Sequence, residues 1–225
     1  EKLTDSFKNA KPEGLKYLFP NAETIYPYLS KLPDKMRKSW YEFDHFYSDN
    51  CFDIISQTIL ASPKIFDIGG NTGIFERLCL KKNPEIDITL LVATGCHRET
   101  KIWELREKLG DEIVQKEKIV VHNCDDENMV SLGKLPSGAE LIINRIAADC
   151  DLLLAEGFIE PHCFAGFSGG RKSVLPGICS RKTVLGNHCS AFISSDKARM
   201  GVLEGNPIHA DMIDAVKKAK LQYIV

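Results

Sequence analysis

The sequence lacks the features of membrane, exported and nucleic-acid-binding proteins. Its 225 residues contain no apolar run near the roughly 18–20 residues that a membrane span needs. The N-terminus does not show the basic-then-apolar layout of a signal peptide. Positive charge is not in excess, because 29 Lys and Arg face 31 Asp and Glu, a net charge of −2. We therefore expect a soluble, cytoplasmic protein with neither a nucleic acid nor a membrane as partner; the oligomeric state stays open.

The eight cysteines include no Cys-x-x-Cys pair. Structural zinc sites favour such closely spaced pairs, so the spacing argues against a zinc framework. Since no export signal is visible, we expect reduced thiols rather than disulfides. Hydrophobic residues make up 44% and charged residues 27%, which is typical of a globular protein and not of a disordered one.

Glycine is also scarce at first, with only Gly14 before residue 63. Residues 40–47 hold five aromatic side chains, which predicts a helical layer over residues 1–62. From residue 63 onward, strand-like runs alternate with helical patterns, which predicts an α/β domain over 63–225. The expected strands are 64–68, 86–93, 119–121, 140–143, 151–155 and 221–225, and the expected helices are 74–82, one from a Thr100 cap to Gly110, and one that begins at Asn206-Pro207.

This alternation predicts a Rossmann-like fold, a mostly parallel sheet with helices on both faces. Ligands of such sheets bind beyond the C-terminal ends of the strands. The loops at 69–73, 94–99 and 156–172 follow expected strands. We therefore look for the functional residues in these three loops.

The first loop, Asp67-Ile68-Gly69-Gly70-Asn71-Thr72-Gly73, lies between an expected strand and an expected helix. With its preceding aromatic segment it resembles motif I of class I S-adenosylmethionine-dependent O-methyltransferases, a likeness that covers residues 1 to about 91. The resemblance implies that Asp67, Gly69 and Gly73 contact S-adenosylmethionine. Val92 stands where that family has the acid that holds the ribose hydroxyls, so we expect weak or no binding of this cofactor. The alternative is a purely structural strand-to-helix turn.

The other two loops carry histidines and a lysine. His97 follows an expected strand, His162 precedes a glycine-rich loop that ends in Lys172, and His188 comes later. A neutral imidazole is a common metal ligand and a base poised near neutral pH. Arg171 breaks the P-loop spacing, so a nucleotide triphosphatase is not expected, although the loop amides could hold a phosphate. The remaining histidines, His45, His122 and His209, lack such a setting and are expected to be structural.

Residues from about 86 to 225 closely resemble the nickel-dependent lactate racemase family. The likeness rests on Ala-Thr-Gly-x-His-Arg at 93–98, Pro-His at 161–162, Gly-Phe-Ser-Gly-Gly-Arg-Lys at 166–172, and His188. It implies a nickel pincer nucleotide as cofactor and a small 2-hydroxy acid as substrate. By this resemblance Lys172 carries the cofactor, His188 is the nickel ligand, and His97 and His162 form the acid/base pair. Its cofactor loop also includes Ser168, Gly169 and Gly170.

The two resemblances meet within residues 83–91, a helix stop and strand that suits either parent. We interpret the chain as a chimera or recombined fragment, methyltransferase-like over 63–91 and lactate-racemase-like over 92–225. The N-terminal Asp/Arg segment and the separate C-terminal domain of the lactate racemase family are not recognisable here, so weak racemase activity at best is expected. Three functions therefore stay open: a partial racemase domain, a methyltransferase remnant, and an inactive scaffold.

Overall fold

The computed structural model describes Pro20, the backbone of residues 64–68, and residues 85–224. The chain divides into two units, Glu1–Asp49 and Asn50–Val225, and the described strands and helices all belong to the second. The helical layer predicted over 1–62 and the helix predicted over 74–82 lie outside the described residues. No helix in the described part is both long and apolar enough to cross a bilayer.

The described strands and helices follow one another through the second unit. The strands are β1 (Lys64–Ile68), β2 (Asp87–Val92), β3 (Lys118–Val121), β4 (Met129–Lys134), β5 (Glu140–Asn144), β6 (Leu152–Ala155), β7 (Pro161–His162), β8 (Gly166–Phe167) and β9 (Leu221–Ile224). The helices are α1 (Ile102–Leu109), α2 (Asp111–Lys116), α3 (Arg145–Ala148), α4 (Arg171–Val174), α5 (Arg181–Asn187), α6 (Ser190–Ile193) and α7 (Pro207–Lys218).

A parallel five-stranded sheet forms the centre of the unit, in the order β3-β2-β1-β6-β9. Ile65 of β1 is in register with Ile88 of β2 on one side and with Leu152 of β6 on the other. Strands β1, β2 and β6 therefore share one sheet, and the predicted mostly parallel α/β fold is confirmed.

Burial explains why these runs become central strands. All four residues of β6 are buried, and so are four of the six residues of β2. Parallel strands covered on both faces need such continuous apolar runs. One covering element is α7, which buries Ile208, Met212 and Ala215, and Asn206 caps it because its Oδ1 accepts from the backbone N–H of Ile208 at 3.0 Å. The predicted start of this helix is confirmed.

Two local predictions are wrong. Residues 140–143 do form a strand, but β5 pairs antiparallel with β4 in a separate two-stranded sheet, and β4 was not predicted. Thr100 does not cap α1, because the N-cap position is Lys101. The carboxylate of Glu104 accepts from the backbone N–H of Lys101 at 2.8 Å, which satisfies this helix start without a threonine. Gly110 ends the helix as predicted, with φ of 87°.

His122, which follows β3, is a buried structural residue at 2% exposure. Its Nε2 lies 3.0 Å from the carbonyl oxygen of Cys179. The amide nitrogen of Asn144 lies 3.4 Å from its Nδ1, and the amide oxygen of Asn144 accepts from the N–H of Ile146. Because a carbonyl can only accept, the neutral ring carries its proton on Nε2.

Folding stability should decrease as the pH falls below about 6.5, and His122 should contribute to that decrease. Burial lowers the pKa of His122 from 6.5, so the unfolded chain binds a proton at pH values where the folded chain does not. Stability then falls with falling pH. Urea unfolding of the wild type and of His122→Gln at about pH 7 and about pH 5.5 checks this linkage. The wild type should lose more stability than the variant, and equal losses would contradict the expectation.

Candidate active site

The turn after β2 presents His97 at the C-terminal edge of the sheet. The N–H of His97 donates to the carbonyl of Thr94 at 3.0 Å, and the N–H of Gly95 donates to that of Gly177 at 2.8 Å. Gly95 has φ of 56°, a left-handed conformation that favours glycine. The His97 ring is exposed and makes no hydrogen bond with another described residue. The turn is therefore packed against the segment after α4 while the ring stays accessible.

His162 lies in a short antiparallel hairpin, where it pairs with Gly166. Its Nδ1 accepts from the backbone N–H of Ala165 at 3.3 Å and lies 3.5 Å from the N–H of Phe164. Burial lowers the pKa of His162, and the charges of Lys172 and Arg171 lower it further. The neutral ring therefore carries its proton on Nε2, and Nε2–H is the group that it offers to a ligand.

Lys172 lies in the first turn of α4, where its N–H donates to the carbonyl of Gly169 at 2.9 Å. Its side chain is half-buried. Burial lowers the pKa of the Lys172 amine, the Cys163 thiol opposes this, and Arg171 lowers the pKa again. A lowered pKa raises the fraction of free amine, which is the nucleophilic form. This environment suits covalent chemistry at Lys172.

His188 follows α5 and lies near the same lysine. Burial, Lys172 and His162, in that order, lower its pKa to about 4, so its ring is neutral at neutral pH. The Phe164 ring makes near-perpendicular contacts with both histidines, with centroids 4.6 Å from His162 and 5.1 Å from His188. The structure thus brings Lys172, His162 and His188 into one cluster. It shows no contact of the His97 ring with that cluster among the described residues.

The three other residues of the predicted cofactor loop have structural contacts. The Ser168 hydroxyl donates to the carbonyl of Phe158 at 3.0 Å and accepts from the N–H of Glu160 at 2.9 Å. Gly169 has φ of +64°, and a Cβ there would lie 2.6 Å from the Phe158 carbonyl oxygen. Gly170 also has a positive φ. These contacts account for a serine and two glycines at these positions without a ligand. Contact of Ser168, Gly169 and Gly170 with a cofactor stays a prediction.

Of the first-loop residues predicted to contact S-adenosylmethionine, only Asp67 lies within the described residues. Asp67 belongs to β1, where it is in register with Leu90 and Leu154, while Gly69 and Gly73 lie outside the described residues. Among residues 85–224 no group of three or more His, Cys, Asp or Glu side chains is placed to hold a metal ion. The cysteines described there are all free.

A cleft of about 220 Å³ opens at the C-terminal edge of the sheet. Val92 and Ala93 line it from β2, Ser173 lines it beside Lys172, and Glu156 lines it from the end of β6. Glu156 is 7% exposed and was not singled out in the sequence. Its position directly after the apolar strand β6 was the available signal, because ligands meet such strand ends. The cleft is large enough for part of a nucleotide, and Ser173 lines it, whereas Lys172, His162 and His188 do not.

Arg171 is a second residue that sequence reasoning left without a role. Its Nε donates to Nδ1 of His209 at 2.6 Å, and a terminal nitrogen donates to the carbonyls of Ala165 and Phe167 at 2.9 and 3.2 Å. The guanidinium thus holds the His162 hairpin against α4 and α7. His209, which was expected to be structural, accepts one of these hydrogen bonds from Arg171.

Gly177→Ala should destabilise the segment that carries Lys172. A Cβ at Gly177 would lie 2.1 Å from the Ser173 carbonyl oxygen, and backbone atoms cannot yield cheaply. We expect a loss of about 1–3 kcal/mol in the free energy of unfolding, measured by urea denaturation. Gly157→Ala is the matched control, because a Cβ there meets nothing within 4 Å. A Gly177→Ala variant as stable as this control would contradict the expected clash.

The comparisons with known proteins agree with the resemblance to the lactate racemase family. A family model described as the lactate racemase N-terminal domain matches residues 72–201. Lactate racemase from Thermoanaerobacterium thermosaccharolyticum is 56% identical over 146 residues, which is 64% of this chain and 34% of the relative. Lactate racemase from Lactiplantibacillus plantarum is 56% identical over 143 residues, 63% of this chain and 34% of the relative. The chain therefore spans about a third of the length of these curated relatives.

Solved structures show the same relationship. The lactate racemase apoprotein from Thermoanaerobacterium thermosaccharolyticum superimposes with a TM-score of 0.70 at 47% identity, covering 74% of this chain and 43% of that one. A structural-genomics protein from Thermotoga maritima superimposes with a TM-score of 0.62 at 23% identity, covering 76% of this chain and 48% of that one, and shows the fold alone. Because the family model matches more than half of the sequence, this chain belongs to the lactate racemase N-terminal domain family.

Proposed function

We propose that this chain forms part of the active site of a lactate racemase-type enzyme, which racemises or epimerises a small 2-hydroxy acid. The observation that carries the proposal is the cluster of Lys172, His162 and His188. A nucleophilic amine, a neutral metal ligand and a proton-transfer group are the parts that such a reaction needs.

The residues present fit a nickel pincer nucleotide. The Lys172 amine has a lowered pKa, which suits covalent attachment, and His188 is held neutral, which suits nickel binding. Ser173, next to Lys172, lines the cleft of about 220 Å³ that would take part of the nucleotide. When bound, such a cofactor supplies the acceptor for the hydride of the substrate.

The two remaining histidines handle the hydroxyl proton in this proposal. His97 is exposed at the sheet edge and accepts the proton as the base. His162 presents Nε2–H and donates to the substrate oxygen, because backbone N–H groups occupy its Nδ1. Loss of the hydride and the hydroxyl proton leaves a planar 2-keto acid. Hydride return to either face of that acid yields both enantiomers.

The experiment that tests the function is co-expression of the chain with enzymes that make the pincer cofactor. Intact mass spectrometry then measures covalent attachment, and elemental analysis measures nickel. We expect a mass increase with bound nickel. A chain with neither the mass increase nor bound nickel would belong to the lactate racemase family by descent only and would be the inactive scaffold.

We also propose that the chain is a chimera whose N-terminal part derives from an S-adenosylmethionine-dependent methyltransferase. The support is the Asp67–Gly73 loop with the aromatic segment before it. The match to the racemase family begins at residue 72, so residues 72–91 carry both likenesses and the join falls in or before that stretch. The parallel pairing of β1 with β2 and β6 shows that sheet periodicity continues through this region.

Binding of S-adenosylmethionine should be weak or absent in the wild type. Val92 lines the cleft and cannot accept a hydrogen bond from a ribose hydroxyl. The loss of a charge-assisted hydrogen bond costs about 1.5–3 kcal/mol, roughly a ten- to hundredfold loss of affinity. Isothermal calorimetry should show tighter binding for Val92→Asp than for the wild type or a Val92→Leu control. A wild-type dissociation constant in the low micromolar range would contradict this and would favour Glu156 as the replacement carboxylate.

A further inference from the structure

The ring of His188 faces the side chain of the residue before it. Nδ1 of His188 lies 2.9 Å from Oδ1 of Asn187. His188 follows the last turn of α5, and its own N–H donates to the carbonyl of Val184 at 2.7 Å. Both the backbone and one ring nitrogen of His188 are therefore fixed by α5.

The orientation of the Asn187 amide is fixed from its other end. Nδ2 of Asn187 lies 3.2 Å from Oδ2 of Asp211 and 3.3 Å from the carbonyl oxygen of Ile208. The Ile208 carbonyl can only accept, so the Asn187 group that faces it is the amino group; Oδ1 of Asp211 in turn accepts from the backbone N–H of Ser137 at 3.0 Å. The amino group of Asn187 must therefore face α7, and its oxygen must face His188.

These groups are shielded from water. Asn187 is 0% exposed and Asp211 is 1% exposed. A buried amide turned the other way would place its NH₂ group against the ring nitrogen and leave the Asp211 carboxylate without that donor, which is costly in a site of low dielectric. The relay from Asp211 through Asn187 to His188 therefore has one favourable orientation.

We propose that Asn187, oriented by Asp211, is a positioning residue that holds His188 in its Nδ1–H tautomer and so leaves Nε2 as the atom that binds nickel. An amide oxygen can only accept, so the ring nitrogen that faces it carries the proton, and a neutral imidazole has no second proton for Nε2. Metal-binding histidines generally donate their second ring N–H to such a partner, which fixes the tautomer. The nickel clause rests on the proposed function, whereas the tautomer does not.

Phe164 adds a steric element to the same arrangement. Its ring meets that of His188 edge-on at 5.1 Å between centroids. The imidazole is thus held by a hydrogen bond at Nδ1 and by an aromatic contact, which together select a single ring orientation. A ring turned over would place a C–H group against Oδ1 of Asn187 and forfeit the hydrogen bond.

The competing explanation is that Asn187 only ties α5 to α7. Under that explanation, replacement of Asn187 would lower stability but leave the tautomer of His188 unchanged. The tautomer is therefore the readout that separates positioning from packing, and it can be read from the metal-free chain.

The experiment is two-bond ¹H–¹⁵N correlation NMR of the full, uniformly ¹⁵N-labelled chain without metal, at about pH 7, where His188 is neutral. His188 and His122 are identified by the loss of their signals in His188→Gln and His122→Gln. We expect Nδ1–H for His188 and the opposite tautomer, Nε2–H, for His122, whose Nε2 faces a carbonyl oxygen. A wild-type His188 that shows Nε2–H, or a mixture of both tautomers, would overturn the proposal without any variant.

Asn187→Leu removes the acceptor at nearly constant volume and should convert the His188 signals to a mixture or to Nε2–H. The matched control is Asn144→Leu, which removes the amide facing His122 and should leave the His188 tautomer as it is. An Asn187→Leu chain that folds and keeps pure Nδ1–H would refute the positioning role.

After loading with the pincer cofactor by co-expression, Asn187→Leu should retain nickel about 10- to 100-fold more weakly than the wild type, with its covalent adduct intact. Equal nickel retention would refute the nickel clause. If the wild type shows the expected tautomer but takes up no cofactor, the proposed function fails while the positioning of His188 stands. If it takes up nickel with the wrong tautomer, only the present inference fails.

Discussion

Lys172→Ala should abolish covalent attachment of the cofactor. The amine of Lys172 is half-buried, and its pKa is lowered mainly by that burial, so it is a better nucleophile than a lysine in water. After co-expression with the cofactor-making enzymes, intact mass spectrometry should show an adduct on the wild type and none on the variant. The expected effect is all or none, because no other amine can replace a covalent attachment point.

Lys182→Ala is the matched control for this experiment. Lys182 is exposed and pairs with Glu140 at 2.7 Å, so its loss should leave the adduct intact. An adduct of unchanged mass on Lys172→Ala would place the attachment elsewhere and remove the main support for the proposed function.

His188→Ala should separate attachment from metal binding. The variant keeps the Lys172 amine and should keep the adduct, but it should lose most of the nickel because a ligand is missing. His162→Ala serves as the comparison, since His162 is proposed to act in proton transfer and should not be needed for the metal. Nickel measured per mole of adduct distinguishes the two variants.

Much of the central sheet could be predicted from the sequence because β2 and β6 are buried over most of their length. The run that became β6 is entirely buried, and continuous burial leaves a clear signal in a short segment. The strand β4 gives no such signal, because its residues are exposed or half-buried and include a glycine and a lysine. Since β4 was missed, the partner and direction of β5 could not be predicted either.

Some residues of the candidate site could likewise be predicted from the sequence, whereas others could not. The sequence singled out His162, Lys172 and His188 through motifs and through the place where α/β proteins bind ligands. The relay to His188 did not, because Asn187 and Asp211 are 24 residues apart and meet only when α7 packs against α5. Asn187 directly precedes a histidine that the sequence singled out, yet a sequence does not show which partner fixes the orientation of its amide group.

His97→Ala and His162→Ala should each reduce racemisation strongly in the cofactor-loaded protein. Each removes one partner in transfer of the hydroxyl proton, an effect of about 10²–10⁴-fold on turnover. Interconversion of the two lactate enantiomers, followed by chiral chromatography, checks this. Adduct and nickel should stay at wild-type levels, because neither histidine is needed to hold the cofactor.

The two variants should also differ in a way that the structure explains. His162 holds its hairpin by accepting backbone N–H groups at Nδ1, whereas the exposed His97 ring makes no hydrogen bond with another described residue. His162→Ala should therefore lower stability as well as turnover, whereas His97→Ala should lower turnover alone. His162→Asn retains a side-chain acceptor for those N–H groups and should recover stability but not racemisation. If His162→Asn recovered racemisation as well, His162 would be a structural residue of the hairpin, and the proton-transfer role would have to pass to another group.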